Sequence, residues 1–285
     1  MQFLNFKQGS QQGLAIAEGS GFKGLLTTDV NFPGSLQSLL AKGSQALTQA
    51  ADVLRQGAVI DLTKITYLPP LENPGRIFCI GLNYVDHSVE SGFAIPTYPA
   101  IFSRFSSSMV GHGEPIVRPK VSTQLDYEGE LVAIIGKAGR YIEKDKALEH
   151  VAGYSICNDA SIRDYQFKSA QWIIGKNFDN TGPFGPVFVT SDELPPGASG
   201  LKIQTRLNGM VVQDATTSSL IFDVATLVSL LSEAVCLQPG DVIVTGTPSG
   251  VGLARKPPLF MKHGDICEVE IEGIGILSNL VVDES

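Results

Sequence analysis

The chain has 285 residues, 43% hydrophobic and 18% charged, with a formal net charge of −8 and an isoelectric point near 5.0. That length supports one large domain, or one domain with a small attachment, and the composition is globular rather than disordered. The acidic balance works against nucleic-acid and anionic-membrane partners through long-range repulsion. No apolar run reaches membrane-spanning length, and MQFLNFKQGS lacks the basic and apolar parts of a leader, so the expected compartment is the cytoplasm.

In chain order, MQFLNF and GLAIAE read as short strands, and residues 35–55 place Leu36, Leu39, Leu40, Leu47, Ala51 and Leu54 at helical spacing. Pro69, Pro70 and Pro74 form a stiff joint after residues 61–67, so a small N-terminal α+β domain is expected over 1–70 and a catalytic domain over 75–285. RIFCIGLNY is a strand interrupted at Gly81, and its polar continuation 83–90 opens onto a loop or short helix. A stretch rich in Gly and Pro at 109–119 precedes the apolar run DYEGELVAIIG, which a turn at 136–139, a short helix at 144–150 and a strand at 153–157 follow. Beyond Ser161 the pattern alternates strand and turn: GPVFVT, LKIQTRLNG, DVIVTGT, DICEVEIEG and IGILSNLVV, with one amphipathic helix at 222–234. Many strands and few helices predict a mainly β (α+β) fold, a mixed β-sandwich roll or barrel-like core, and argue against a doubly wound α/β sheet. Cys79, Cys157, Cys236 and Cys267 lie far apart without a C-x-x-C and are expected as reduced thiols.

Glu128 and Glu130 stand two apart at the head of the apolar run, a spacing that in a strand turns both carboxylates to one face. Held close and away from water, they call for a hard divalent cation such as Mg²⁺. Alone, E-x-E also describes the solvated face of an edge strand. Asp159, in GYSICNDASIRDYQ, ends another apolar strand and is either a third oxygen ligand or an Asx-turn or helix-cap residue. In D-H-S-V-E, His87 and Glu90 are i and i+3, one face of a helix, where a carboxylate fixes the imidazole tautomer of a general base. A surface pair has the same spacing. His112, His150 and His263 show no mutual ligand spacing, which disfavours zinc. Lys176 follows an apolar run and calls for an anionic partner, while Arg163 and Gln166 present donors just past Asp159 or lie on an ordinary surface. The turn GTPSGVG offers backbone N–H groups and the Thr247 hydroxyl as a cradle for a carboxylate, and it is neither G-x-S-x-G nor a Walker loop.

Taken together, GLNYVDH, DYEGEL, NDASIRDYQ, QWIIGKNFDNTGPFGP, LNGMVVQD, PGDVIVTGTPSGVG and HGDICEVEIEGIG, in that order over about residues 76–282, resemble the fumarylacetoacetate hydrolase family. The resemblance implies a mixed β roll, a small N-terminal domain and a homodimer. It implies Glu128, Glu130 and Asp159 as ligands of Mg²⁺ or Mn²⁺, and His87 with Glu90 as the base dyad on a mobile lid. Lys176, Arg163, Gln166 and Thr247 would line the substrate and oxyanion site. Arg104, in PAIFSRFSSS, stands where many relatives carry lysine and would adapt the pocket to a different anionic tail. A further aspartate ligand ahead of the histidine, used by members that cleave fumarylacetoacetate, has no match here, which points to the shorter bacterial-type relatives. The resulting expectation is metal-assisted hydrolysis of a carbon–carbon bond in a small anionic 2-oxo or 1,3-diketo acid, of acylpyruvate, fumarylpyruvate or 2,4-dioxo sugar acid type. The alternatives at the same metal site are oxaloacetate-type decarboxylation and keto–enol isomerisation, which need no hydrolytic water, or hydration. A catalytically silent ligand-binding protein is the reading from another class. Specificity is expected from lid residues between Asn83 and Ser108.

Overall fold

A computed structural model describes residues 1–90, 92 and 94–285. Ser91 and Phe93, in the expected lid, lie outside the described residues. The fold is built around the strand Gly129–Ile135, whose seven residues are all buried. A strand with both faces covered reads as a continuous apolar run rather than an alternating one. Here successive side chains feed two cores. Leu131, Ala133 and Ile135 point to one side, with Val269, Ile271 and Leu227, while Val132 and Ile134 point to the other, with Leu39, Leu40 and Leu54. Leu131 is fully buried, so Leu131→Ala is expected to cost about 2–5 kcal/mol in urea unfolding.

This strand lies in a twelve-stranded sheet. It pairs antiparallel with Val151–Asn158 on one side and Val242–Val244 on the other, and Val242–Val244 in turn runs parallel to Ile77–Gly81. A five-stranded sheet in the order Met210–Thr216, Lys202–Leu207, Ile266–Ile271, Gly275–Asp283, Ile116–Arg118 covers the first core. The result is the expected sheet-dominated α+β fold, and the large sheet has free ends at Ala58–Val59 and Ala100–Ser103 rather than closing into a barrel.

The first 70 residues join this framework directly. Gln2–Gln8 pairs antiparallel with Gly182–Thr190 and so continues the central sheet. The helical segment expected over 35–55 is two helices, Leu36–Lys42 and Ser44–Leu54, parted at Gly43 with φ 90° and ψ 179°. Glycine reaches that backbone region without a Cβ clash, and the break lets both apolar faces turn onto the sheet. Among the described residues, no helix is long and apolar enough to cross a membrane, and all four cysteines are free.

Candidate metal centre and acid–base pair

Strand register assembles the acidic cluster. Gly129 lies opposite Asn158 and Glu130 opposite Cys157, so the next step along both chains sets Glu128 across from Asp159. The Asp159 N–H donates to the Glu128 carbonyl at 2.8 Å, and the Glu128 N–H donates to Asn158 Oδ1 at 2.9 Å. Glu128 therefore precedes the regular strand, yet its carboxylate still joins the others. One oxygen from each of Glu128, Glu130 and Asp159 lies within 4.8 Å of the rest, and all three residues are buried.

Buried like charges need compensation. Lys176, at the end of the short helix Ile173–Lys176, places Nζ 2.6 Å from Glu128 Oε2 and 2.7 Å from Asp159 Oδ2, and gives its third hydrogen to the Asp159 carbonyl at 3.2 Å. Burial alone would strip that ammonium of its proton, but Asp159 and Glu128 outweigh burial and raise its pKa. Burial likewise pushes the Glu128 carboxyl up, and Lys176 and Arg163 overcome it and hold Glu128 at about 2. Glu130 goes the other way: burial, then Asp159 and Glu128, push it well above the ordinary carboxylate range.

These two shifts have opposite consequences for stability. The depressed Glu128 contributes stability that is present above the ordinary glutamate value and lost as pH falls towards 2. The raised Glu130 contributes stability that is present below the ordinary value and lost as pH rises through its folded value. An added divalent cation opposes the second effect by favouring ionised Glu130. Protein in EDTA is therefore expected to melt at falling temperatures as pH climbs above the carboxylate range, with Mn²⁺ flattening the profile. Identical profiles with and without Mn²⁺ would contradict this.

Arg104 occupies a different place from the one expected. Its side chain is fully buried behind Asp159, with Nη1 bonded to Asp159 Oδ1 at 2.7 Å and to the Ala160 carbonyl at 3.0 Å, Nη2 to Thr181 Oγ1 and Nε to Ser108 Oγ. It lies outside the lining of the cavity and bonds a carboxylate of the acidic cluster.

His87 and Glu90 lie in the helix Val85–Glu90, with His87 Nδ1 3.0 Å from Glu90 Oε1. Both Glu90 oxygens also accept the Gly250 N–H at 2.9 Å. An acceptor-only carboxylate at Nδ1 assigns the imidazole proton to that nitrogen and leaves Nε2 as the basic site. Gly250 has φ +105°, and a Cβ there would strike the Val212 carbonyl.

The GTPSGVG turn does cradle carboxylates, and they are the protein's own. Gly246 N–H donates to Glu130, Gly250 N–H to Glu90 and Gly252 N–H to Asp126. Thr247 lines the cavity, but its hydroxyl donates to the Gly129 carbonyl and accepts from Gln213. Arg163 Nη1 reaches Glu128 Oε1 at 2.6 Å and Gln166 Oε1 at 2.9 Å, its Nε bonds Asp126, and its Nη2 is buried without a partner among the described residues. Asp126 has no role legible in the sequence, because apart from the adjacent Tyr127 N–H its partners Arg163, Gly252 and Leu253 come from distant segments.

These groups face one cavity of about 260 Å³, in which His87, Glu90, the two glutamates, Lys176, Arg163 and Gln166 meet an apolar wall that includes Phe102 and Trp172. Gly81 makes room for that wall, since a Cβ there would strike the Trp172 ring. Three converging carboxylate oxygens without nitrogen or sulfur donors suit a hard divalent ion that completes its shell with water or substrate oxygens.

Residues 76–282 match the sequence family described as fumarylacetoacetate (FAA) hydrolase, C-terminal. The chain belongs to the fumarylacetoacetate hydrolase family. It is 41% identical over 273 residues to the Xenopus laevis protein named oxaloacetate tautomerase fahd2, mitochondrial, covering 95% of this chain and 85% of that one. The fumarylacetoacetate hydrolase of psychrophilic Exiguobacterium antarcticum superposes with a TM-score of 0.88 at 37% identity, covering both chains completely. The maleylpyruvate hydrolase of Sphingobium sp. SYK-6, solved with manganese(II) and pyruvate, superposes with a TM-score of 0.81 at 25% identity, also covering both chains completely. Family membership, an enzyme fold and an acidic trio suited to a divalent metal are thus in hand together.

Proposed function

We propose that this protein is a divalent-metal-dependent keto–enol tautomerase acting on a small 2-oxo dicarboxylic acid of the oxaloacetate type. Supporting it is a base, His87 oriented by Glu90, facing an acidic metal seat across one cavity, in a chain 41% identical to a protein named oxaloacetate tautomerase. This reading stands ahead of the hydrolytic cleavage expected from the family resemblance, because moving a proton between carbon and oxygen needs a base and charge stabilisation but no attacking water.

Mg²⁺ or Mn²⁺ held by Glu128, Glu130 and Asp159 would supply Lewis acidity at the 2-oxo oxygen of a chelating acid. His87 Nε2 takes a proton from the carbon next to the carbonyl, and Glu90 stabilises the imidazolium that forms. The C–H electron pair becomes the new carbon–carbon double bond, and the carbonyl pair moves onto oxygen. The imidazolium then returns its proton to that oxygen, giving the enol. Lys176, with all its hydrogens committed, contributes positive charge rather than a hydrogen bond to substrate. Arg163 Nη2 supplies an open donor for a substrate carboxylate, with Gln166 beside it.

The test follows the near-ultraviolet enol absorbance of oxaloacetate with and without protein, in Mn²⁺ and in EDTA, and assays pyruvate release from oxaloacetate and from an acylpyruvate. Accelerated loss of enol without added pyruvate release is expected. Pyruvate from the acylpyruvate without tautomer acceleration would replace this reading with the hydrolase, and pyruvate from oxaloacetate with the decarboxylase.

A further inference from the structure

Asp126 ends the short strand Leu125–Asp126, is fully buried and lies outside the cavity lining. Its carboxylate accepts four N–H groups: Tyr127 N at 2.9 Å and Gly252 N at 2.7 Å on Oδ1, Leu253 N at 2.9 Å and Arg163 Nε at 2.8 Å on Oδ2. A carboxylate offers about four acceptor sites, so this one is saturated and has none left for metal or substrate. It joins the turn 246–253 to Arg163, both of which contribute to the cavity lining.

We infer that Asp126 is a positioning residue that couples the His87–Glu90 pair to the anion-binding Arg163 through the turn 246–253. The inference rests on the roles proposed above for His87 and Arg163. Along one arm, Asp126 fixes Gly252 and Leu253, two residues from the Gly250 N–H that holds both oxygens of Glu90, which in turn holds His87. Along the other, it fixes Nε of Arg163 while Glu128 and Gln166 fix Nη1, so the planar guanidinium has one orientation left for its unpartnered Nη2. The turn has little slack, since a Cβ on Gly252 would meet the Leu259 carbonyl and come within 2.6 Å of Asp126 Oδ1. A buried ion pair is a poor source of stability by itself, because desolvation offsets the attraction. Geometry is what this one supplies: a neutral acceptor could hold the turn, but only a four-acceptor carboxylate holds the turn and the guanidinium together.

The experiment compares the wild type with Asp126→Asn, Glu90→Gln, their double variant and Gly252→Ala. Three readouts are taken: kcat and KM on enol-oxaloacetate with Mn²⁺, oxalate affinity of the Mn²⁺-loaded protein by calorimetry, and the downfield Nδ1–H resonance of His87. The amide of Asp126→Asn must turn its NH2 either against the Tyr127 and Gly252 N–H groups or against the Leu253 and Arg163 N–H groups. Its kcat is expected to fall about 10–100-fold, oxalate to bind about tenfold more weakly for the loss of one well-aimed charged donor, and the His87 resonance to broaden. The double variant should lose little more kcat than Glu90→Gln alone, because both act along one line. Gly252→Ala crowds the turn against the Leu259 carbonyl and Asp126 Oδ1 while keeping the Asp126 carboxylate and the Arg163 guanidinium, so kcat and the His87 resonance should change.

A folded Asp126→Asn protein with a lower melting temperature but wild-type kcat, oxalate affinity and His87 resonance would overturn the inference. If that variant does not fold, Gly252→Ala decides, and wild-type kcat and resonance there overturn it. Absence of tautomerase turnover in the wild type would sink the proposed function alone, because oxalate binding and the imidazole resonance still report the coupling.

Discussion

His87→Asn is expected to lower kcat for oxaloacetate tautomerisation by about 10²–10⁴-fold, the usual worth of a positioned general base. The asparagine amide replaces Nε2 with a group that takes no proton at neutral pH. Glu128, Glu130 and Asp159 hold the metal seat without using His87, so Mn²⁺ affinity should stay close to wild type. Oxalate, which needs chelation and an anion donor but no base, should still bind. The signature is therefore a loss in kcat at nearly constant Mn²⁺ and oxalate affinity, measured by stopped-flow enol decay and calorimetry. A variant retaining most of its rate would move the proton transfer to another group.

The second large effect falls on stability. Lys176→Met is expected to destabilise the metal-free protein by about 3–5 kcal/mol, the cost of leaving buried charge without its partner. All three ammonium hydrogens are engaged, on Glu128 Oε2 and on two oxygens of Asp159, and Lys176 is 1% exposed. Methionine keeps most of the volume, so the loss is electrostatic rather than a cavity. Lys176 is the leading charge that holds Glu128 at about 2, so without it Glu128 takes up a proton more readily. The deficit should then shrink as pH falls through the ordinary glutamate range, and Mn²⁺ should relieve it at neutral pH. Urea unfolding at two pH values, with Mn²⁺ and with EDTA, measures both effects. A deficit independent of pH and of Mn²⁺ would assign Lys176 a packing role instead.

The acidic trio was legible because strand physics carries it. E-x-E at the head of an apolar run and an aspartate at the polar end of the next run become neighbours once the two strands pair in register. His87 and Glu90 were legible because i, i+3 spacing is local. Depth was not legible. Arg104 looks in sequence like any cation on a loop after a strand, and only the tertiary fold shows it sealed behind Asp159. The GTPSGVG turn announced its free N–H groups but not their occupants, because Glu90, Asp126 and Glu130 come from other segments. The split of residues 35–55 hung on one glycine, which helical periodicity alone passes over.

Arg104 and Lys176 together give Asp159 two permanent counter-charges before any ion from solution arrives. An incoming cation must share that carboxylate with both, so a modest grip and quick exchange are expected. The apoprotein is expected to stay folded near neutral pH, since Glu128 and Asp159 are already answered from within. On the metal-dependent function proposed above, turnover is expected to follow the supply of free divalent ion, and a preparation dialysed against chelator to regain activity on supplementation without refolding.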